Sequence, residues 1–200
     1  MIEVRIHGRG GQGNVVAAYL LATAAFETGL YCQAFPSFGA ERRGAPVTAF
    51  VRIADRPIRR RCQVANPAFL LVQDAGLLHL PATLEGLAAT GAILVNSPEP
   101  SARLDTGQGH DIVAVPASAL AADILGKPVP NVALLSAFLA LTGLLPAEAL
   151  VKALAHRFKG DVLERNTRLI ETATAMVTAG AWAGSGASSG AGSGKEITHA

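Results

Sequence analysis

The sequence predicts an α/β layered fold with a mostly parallel central sheet and a helical C-terminal part, and three observations carry that prediction. Over the first 100 residues, segments of β-like and helix-like pattern alternate. Several short apolar runs end in polar residues, the pattern of central strands in a parallel sheet. Beyond Pro116 the periodicity becomes helical.

Each element has its own justification. Ile2–His7 reads as a buried strand, and 14–28 as a helix carrying Val15, Ala18, Tyr19, Ala22 and Phe26 at helical spacing, ended by Gly29. Leu30–Phe35 is a second strand, Pro36–Pro46 a glycine-rich loop and Val47–Ile53 a third strand. Phe69–Asp74, Ala92–Asn96 and Ile112–Val115 are the apolar runs that read as central strands. Helices follow over Ala117–Leu125, Val132–Thr142 and Ala147–Arg157, with a last one beginning near Asp161. Pro146 suits a first helical turn, and Gly143 and Gly160 punctuate the neighbouring helices. The stretch 184–194, GSGASSGAGSG, has nothing to pack and reads as a tether. The expected organisation is one domain over 1–180 and a flexible Gly/Ser-rich tail over 181–200.

Composition removes whole classes of function. Half of the 200 side chains are hydrophobic and only 16% are charged, with a mean hydropathy of +0.34. That excludes wholesale disorder, and a chain of this length buries a full core without disulfide, metal or repeat array. The 17 basic and 15 acidic residues leave a net charge of +2, far from the footprint of a chain dedicated to nucleic acid. Every Ala/Leu-rich stretch is broken by Gly, Pro or charge before the ~18 apolar residues that suggest a membrane span. The opening MIEVRIHGRGG has charges within its apolar stretch, unlike a signal peptide. Cys32 and Cys62 form no CxxC pair and have no histidine at zinc-like spacing. They read as reduced thiols of a cytoplasmic protein, with neither nucleic acid nor membrane as a partner.

Two loops carry the chemistry. His7 to Gly13, HGRGGQG, contains G-x-G-x-x-G at Gly8, Gly10 and Gly13 between a strand and a helix, with Gly11 and Gln12 inside it. Glycines there permit a tight turn and close backbone approach, and the helix N-terminus offers free N–H groups to an anion. A dinucleotide site also wants an acidic residue at the end of the second strand, where this chain has Tyr31-Cys32-Gln33-Ala34-Phe35 and no carboxylate. Packing glycines and an anion-binding loop therefore both stand. The second loop, Pro36 to Pro46, includes Ser37 and the tandem Arg42 and Arg43, planar cationic forks suited to phosphate or carboxylate, or to ion pairs across a subunit interface. Loops after the first two strands share the carboxyl edge of a parallel sheet, so the two should be neighbours.

A third cluster, Arg56, Arg59, Arg60 and Arg61, reads as a solvated face or as a docking surface for an acidic partner. His7, His79, His110, His156 and His199 show no ligand spacing. There is no GxSxG, no P-loop lysine and no carboxylate pair with a plausible pocket. The chain holds loops for binding and lacks a complete catalytic set.

Read together, Ile6 to Ile53, with GRGGQG followed by PSFGAERRGAPV, resembles the gamma subunit of pyruvate and related 2-oxoacid:ferredoxin oxidoreductases. The resemblance continues through FLLVQD at Phe69 to Asp74 and reaches FKGDVLERNTRLIETA at Phe158 to Ala173. It implies a three-layer α/β sandwich beside the catalytic subunits, contributing to the region where coenzyme A binds. Enzymes of this family cleave a 2-oxoacid with thiamine diphosphate and magnesium, pass electrons through 4Fe–4S clusters to ferredoxin, and release acyl-CoA and CO2. The family places thiamine diphosphate on alpha and beta chains and most clusters on a delta chain. No cofactor is then expected on this chain alone, in keeping with two distant cysteines where a cluster needs about four thiolates. The ERRGAPV form of the second loop goes with pyruvate or branched-chain enzymes. The site residues implied are Gly8, Gly10, Gly11, Gln12, Gly13, Ser37, Arg42 and Arg43, near coenzyme A. Two other readings stand beside this one: a stand-alone Rossmann-type nucleotide-binding oxidoreductase, and a purely structural assembly subunit.

Overall fold

A computed structural model describes residues 1–37 and 44–185. Six strands make one sheet: β1 (Ile2–Arg9), β2 (Tyr31–Pro36), β3 (Pro46–Ala54), β4 (Phe69–Val72), β5 (Ala92–Asn96) and β6 (Asp111–Val115). Their order is β2-β3-β1-β4-β5-β6. β1 pairs with β4, β4 with β5 and β5 with β6 in parallel, while β3 runs antiparallel to both β1 and β2. The connection 37–45 is shorter than the dozen or so residues a parallel crossover needs, so β3 returns antiparallel beside β2 and inserts next to β1. Its register sets Ile2 opposite Ile53 and Arg9 opposite Pro46.

The helices are α1 (Asn14–Glu27), α2 (Pro81–Leu84), α3 (Ala117–Leu125), α4 (Asn131–Thr142), α5 (Ala147–Ala155) and α6 (Gly160–Thr174). Strand alternation splits the core in two. Val4, Ile6, Phe69, Leu71 and Leu94 point to the face covered by α1 and α3 to α6, with α4 buried almost all round. Leu70, Val72, Ile93 and Val95 point the other way, against Leu77, Leu78 and Leu84 of a 3-10 turn and α2. The third layer is thin. Beside it the coil after β3 lies over the sheet, tied down by Gln33 Nε2 to the Ile58 carbonyl (3.2 Å) and Arg52 Nη2 to the Gln63 carbonyl (3.2 Å).

Two expectations change. The apolar run Ile112–Val115 reads as central, yet β6 is an edge strand. Val113 packs on the helical core while Ile112 and Ala114 pack on the opposite one, so both faces are covered although one edge is open. An apolar run reports on faces and is blind to edges. In α1 the expected stripe is only partly right: Ala18 and Ala22 are buried, but Tyr19 and Phe26 are exposed, and Ala17, Leu20, Leu21, Ala24 and Ala25 are buried as well. The helix is apolar on nearly every side, which leaves the phase undetermined by period. The tightest approach goes to the alanines.

The packed chain runs past residue 180. Trp182, 2% exposed, stacks on Phe69 at 6.0 Å, and its Nε1 donates to Asp111 Oδ2 (2.6 Å). Gly180 N and Trp182 N donate to the carbonyls of Ala140 and Leu141, which α4 leaves free in its last turn. No helix among the described residues is long and apolar enough to cross a membrane.

Candidate functional site

The glycine loop sits at the carboxyl end of β1, between an antiparallel neighbour and a parallel one. The start of β3 lies beside it, where a Rossmann fold would bring the end of its second strand. Gly10 N donates to the Ala45 carbonyl (2.9 Å), Asn14 Nδ2 to the Val47 carbonyl (2.8 Å) and Arg9 Nη1 to the Gly44 carbonyl (3.4 Å). On the other side Arg9 Nε meets Asp74 Oδ2 at 2.6 Å. The second Asp74 oxygen accepts from Gly76 N (3.0 Å). Gly44 and Ala45, the described end of the second loop, lie beside the glycine loop, as the sheet topology demands, and Arg9 ties the glycine loop both to Gly44 and to Asp74. Arg42 and Arg43 lie outside the described residues.

The predicted glycines divide by role. Gly8 faces Asn14, whose amide carbon would lie 2.9 Å from an added Cβ. Gly13 has φ +82°, and a Cβ there would lie 2.7 Å from Asn131 Nδ2. Both are close-approach glycines. Gly11, φ +95°, has open space around it, and Gly10 contributes its amide to Ala45. Gln12 Oε1 accepts from Arg9 N (2.6 Å), closing the loop on itself. Ser37 is separated from this loop by β3: its amide donates to the Thr48 carbonyl (2.8 Å) and its hydroxyl takes the Gln63 amide (3.4 Å). The structure brings Gly10 to Gly13 together and leaves Ser37 apart.

Beside the glycine loop opens a groove of about 610 Å³. Gly11, Gln12 and Gly13 form one end, Val16, Leu20, Val132, Phe158 and Val162 the apolar walls, and Lys127, Asn131, Arg165 and Asn166 the polar positions. Two helices begin at it. The first intrahelical bonds are Ala17 N to Gly13 and Leu134 N to Pro130, so the amides before them have no partner within the helix. Neither N-terminus has a side-chain cap. Uncapped N–H groups and two cations give this end of the apolar trough the donors and positive charge that an anion would use. Arg165 shares its charge with Asp161 at 2.6 Å, while Lys127 has no ion pair among the described residues. Sequence reasoning missed Lys127 and Arg165, since each is a solitary cation in its own segment and only packing makes them neighbours of the loop.

The same edge carries a supporting constellation. Asn96, at the end of β5, accepts from Ser118 N with Oδ1 (2.9 Å) and donates to the Gln73 carbonyl (2.9 Å), tying the start of α3 to β4. His7, one strand residue before the loop, is 7% exposed and its Nδ1 lies 3.4 Å from the Thr48 hydroxyl. Burial, and then the neighbouring Arg5 charge, push its pKa down to about 3, so the ring is neutral. No group of three or more His, Cys, Asp or Glu side chains that could hold a metal occurs among the described residues.

Comparisons with known proteins point to one family. The family model described as pyruvate ferredoxin/flavodoxin oxidoreductase matches residues 3–176. Pyruvate synthase subunit PorC of Methanocaldococcus jannaschii is 46% identical over 173 residues, covering 86% of this chain and 95% of its own. The pyruvate/ketoisovalerate oxidoreductases common subunit gamma of Thermococcus kodakarensis is 45% identical, covering 86% and 95%. The crystal structure of pyruvate oxidoreductase subunit PORC from Thermotoga maritima superposes with a TM-score of 0.78 at 37% identity, covering 87% of this chain and 95% of that one.

Proposed function

Since this chain belongs to the pyruvate ferredoxin/flavodoxin oxidoreductase family, we propose that it is the gamma subunit of a pyruvate:ferredoxin oxidoreductase and supplies the coenzyme A-proximal surface of that complex. The reaction assigned to the complex is oxidative decarboxylation of a 2-oxoacid to acyl-CoA and CO2, with electrons passed to ferredoxin. Alpha, beta and delta chains or their fused equivalents are the partners of this reading, and they carry thiamine diphosphate, magnesium and the 4Fe–4S clusters. A relative named as the subunit common to pyruvate and ketoisovalerate enzymes supports assigning the choice of 2-oxoacid to the partners. The cytoplasm is the compartment that goes with these assignments.

One observation carries the coenzyme A assignment: two uncapped helix N-termini and two cations line one groove beside the glycine loop. Coenzyme A joins a flexible thiol arm, part apolar and part amide, through a diphosphate to an adenosine 3'-phosphate, and its charge pattern suits such a groove. Its phosphates would be held by the amides of Gly11 and Gly13 and by Lys127 and Arg165, with Arg42 and Arg43 the further cations that the sequence offers. This chain's residues bind and orient the thiol donor, and the carbon chemistry belongs to thiamine diphosphate when it is bound to the partners.

The test is steady-state kinetics of the assembled complex. Each phosphate contact by a guanidinium contributes about 1.5–3 kcal/mol, so Arg42→Ala or Arg43→Ala should raise the KM for coenzyme A roughly tenfold or more. The KM for the 2-oxoacid should hardly move, and Lys should restore only part of the loss. Loss of complex stability with a normal coenzyme A constant in what survives would instead make the arginines interface ion pairs. A complex with unchanged stability and unchanged kinetics rejects both.

A further inference from the structure

At the amino edge of the sheet, opposite the glycine loop, Met1, Ala54, Arg56, Pro57, Ile58, Arg59 and Arg60 enclose a hollow of about 340 Å³. Its floor is apolar, from Met1, Ala54, Pro57 and Ile58, and its rim is guanidinium. Arg56, Arg59, Arg60 and Arg61 are all exposed. Arg60 lies 4.0 Å from Glu3, whose other oxygen is taken by buried Arg52 at 2.7 Å, and the other three have no ion pair among the described residues. The backbone beneath them is held in place by the bonds from Gln33 to Ile58 and from Arg52 to Gln63. The four positive charges stand on a chain whose whole net charge is +2, so the rest of the molecule is net acidic.

Apart from the Arg60–Glu3 contact, these arginines make no ion pair among the described residues. Like charges crowded on one short segment repel, and an exposed arginine without a partner stabilises nothing. Asp55 is the one carboxylate of the run Asp55 to Arg61, and a surface selected only for solubility would intersperse the signs more evenly. A fixed concave surface with an apolar floor and a cationic rim is instead the anatomy of an interface, where an apolar anchor fills the hollow and charge steers and registers the partner. Nucleic acid is disfavoured by the absence of aromatic side chains around the hollow and by the net acidity of the rest of the chain.

We propose that this arginine-rimmed hollow is the docking site for an acidic segment of another subunit of the same complex, a segment that places one large apolar side chain between carboxylates. Arg56 and Arg59 on the rim, with exposed Arg61 next along the chain, meet the carboxylates, and Ile58 meets the anchor. The site is independent of the coenzyme A groove.

The experiment uses the assembled complex. Retention of this chain is followed by size-exclusion chromatography as sodium chloride is raised, for the wild type, the triple variant Arg56→Glu/Arg59→Glu/Arg61→Glu, the corresponding triple Lys variant, and Ile58→Ser. The Glu triple should weaken retention about tenfold or more at low salt and flatten its salt dependence. The Lys triple should stay near wild type, and Ile58→Ser should weaken retention without changing the salt slope. The Glu triple should melt within a few degrees of the wild-type chain, since none of the three arginines is buried. In a complex carrying Arg59→Lys, a zero-length carbodiimide cross-link should join Lys at that position to an Asp or Glu of another subunit. Wild-type retention and salt slope in the Glu triple would overturn the proposal, as would cross-links confined to this chain. Micromolar binding of a 20-base-pair DNA duplex that the Glu triple alone abolishes, with retention unchanged, would overturn it in favour of nucleic acid.

Discussion

The imidazole of His7 sits at 7% exposure on the second face of β1, with Arg5 two residues away on the same face and its Nε2 without a partner among the described residues. Its pKa is pushed down to about 3 by burial and by Arg5, below the ordinary 6.5. The folded chain thus holds His7 neutral where the unfolded chain would protonate it. Stability from this residue is complete above pH 6.5 and is lost as pH falls toward 3. Between pH 7 and pH 5 the loss should reach about 2 kcal/mol, over a window where most carboxylates are still ionised. His7→Gln should flatten that part of the curve in urea titrations at each pH. An acid limb that keeps its wild-type slope in the variant would show that another group titrates there. From sequence His7 carried no signal beyond the absence of ligand spacing; strand pairing and the covering turn supply its environment.

At the scale of elements, the junction of α1 with α4 turns the glycine loop into one wall of a groove. Asn131 donates to the Gly13 carbonyl (3.3 Å), and Gly13 itself adopts φ +82°. Gly11 has a similar φ of +95° but open surroundings, which makes the pair a controlled comparison. Gly11→Ala should cost only the backbone strain, about 1 kcal/mol, while Gly13→Ala should cost about 2 kcal/mol or more because Asn131 must also move. Chemical denaturation of the two variants reads the difference, and equal losses would remove Asn131 from the account. The glycine spacing was legible before the structure, as were the elements on either side of it. What it could not separate were the roles: Gly8 and Gly13 serve close approach, while Gly11 alone faces open space, and only the arrival of Asn14 and Asn131 decides which is which.

The whole molecule is closed by its C-terminal strap. Phe138, Phe69 and Trp182 form a run, edge-on at 5.3 Å and stacked at 6.0 Å, that joins α4, β4 and the segment after α6. Trp182 reaches on to Asp111 at the start of the edge strand β6. Trp182→Ala should therefore cost about 3–5 kcal/mol, the range for emptying a large aromatic site. Trp182→Phe keeps the stack and loses the indole N–H, so about 1–2 kcal/mol is expected. Thermal melts of the isolated chain check both. A Tm unchanged in Trp182→Ala would mean that the strap lies against the core without supporting it.

Sequence alone determined the α/β class, the position of nearly every strand and helix, and the place of the two glycine-bearing loops after the first two strands. These follow from local periodicity, from glycine and proline punctuation, and from the rule that strand ends gather loops. It also carried the family, because the two loops are contiguous motifs at a specific separation. Tertiary structure decided the insertion of β3 beside β1, the edge position of β6, the buried phase of α1 and the incorporation of Trp182 into the core. It also brought Lys127 and Arg165 to the glycine loop and gave the arginine cluster an apolar floor. Each of these depends on which distant surfaces meet, and a side chain's local pattern records how many of its faces are covered without naming what covers them.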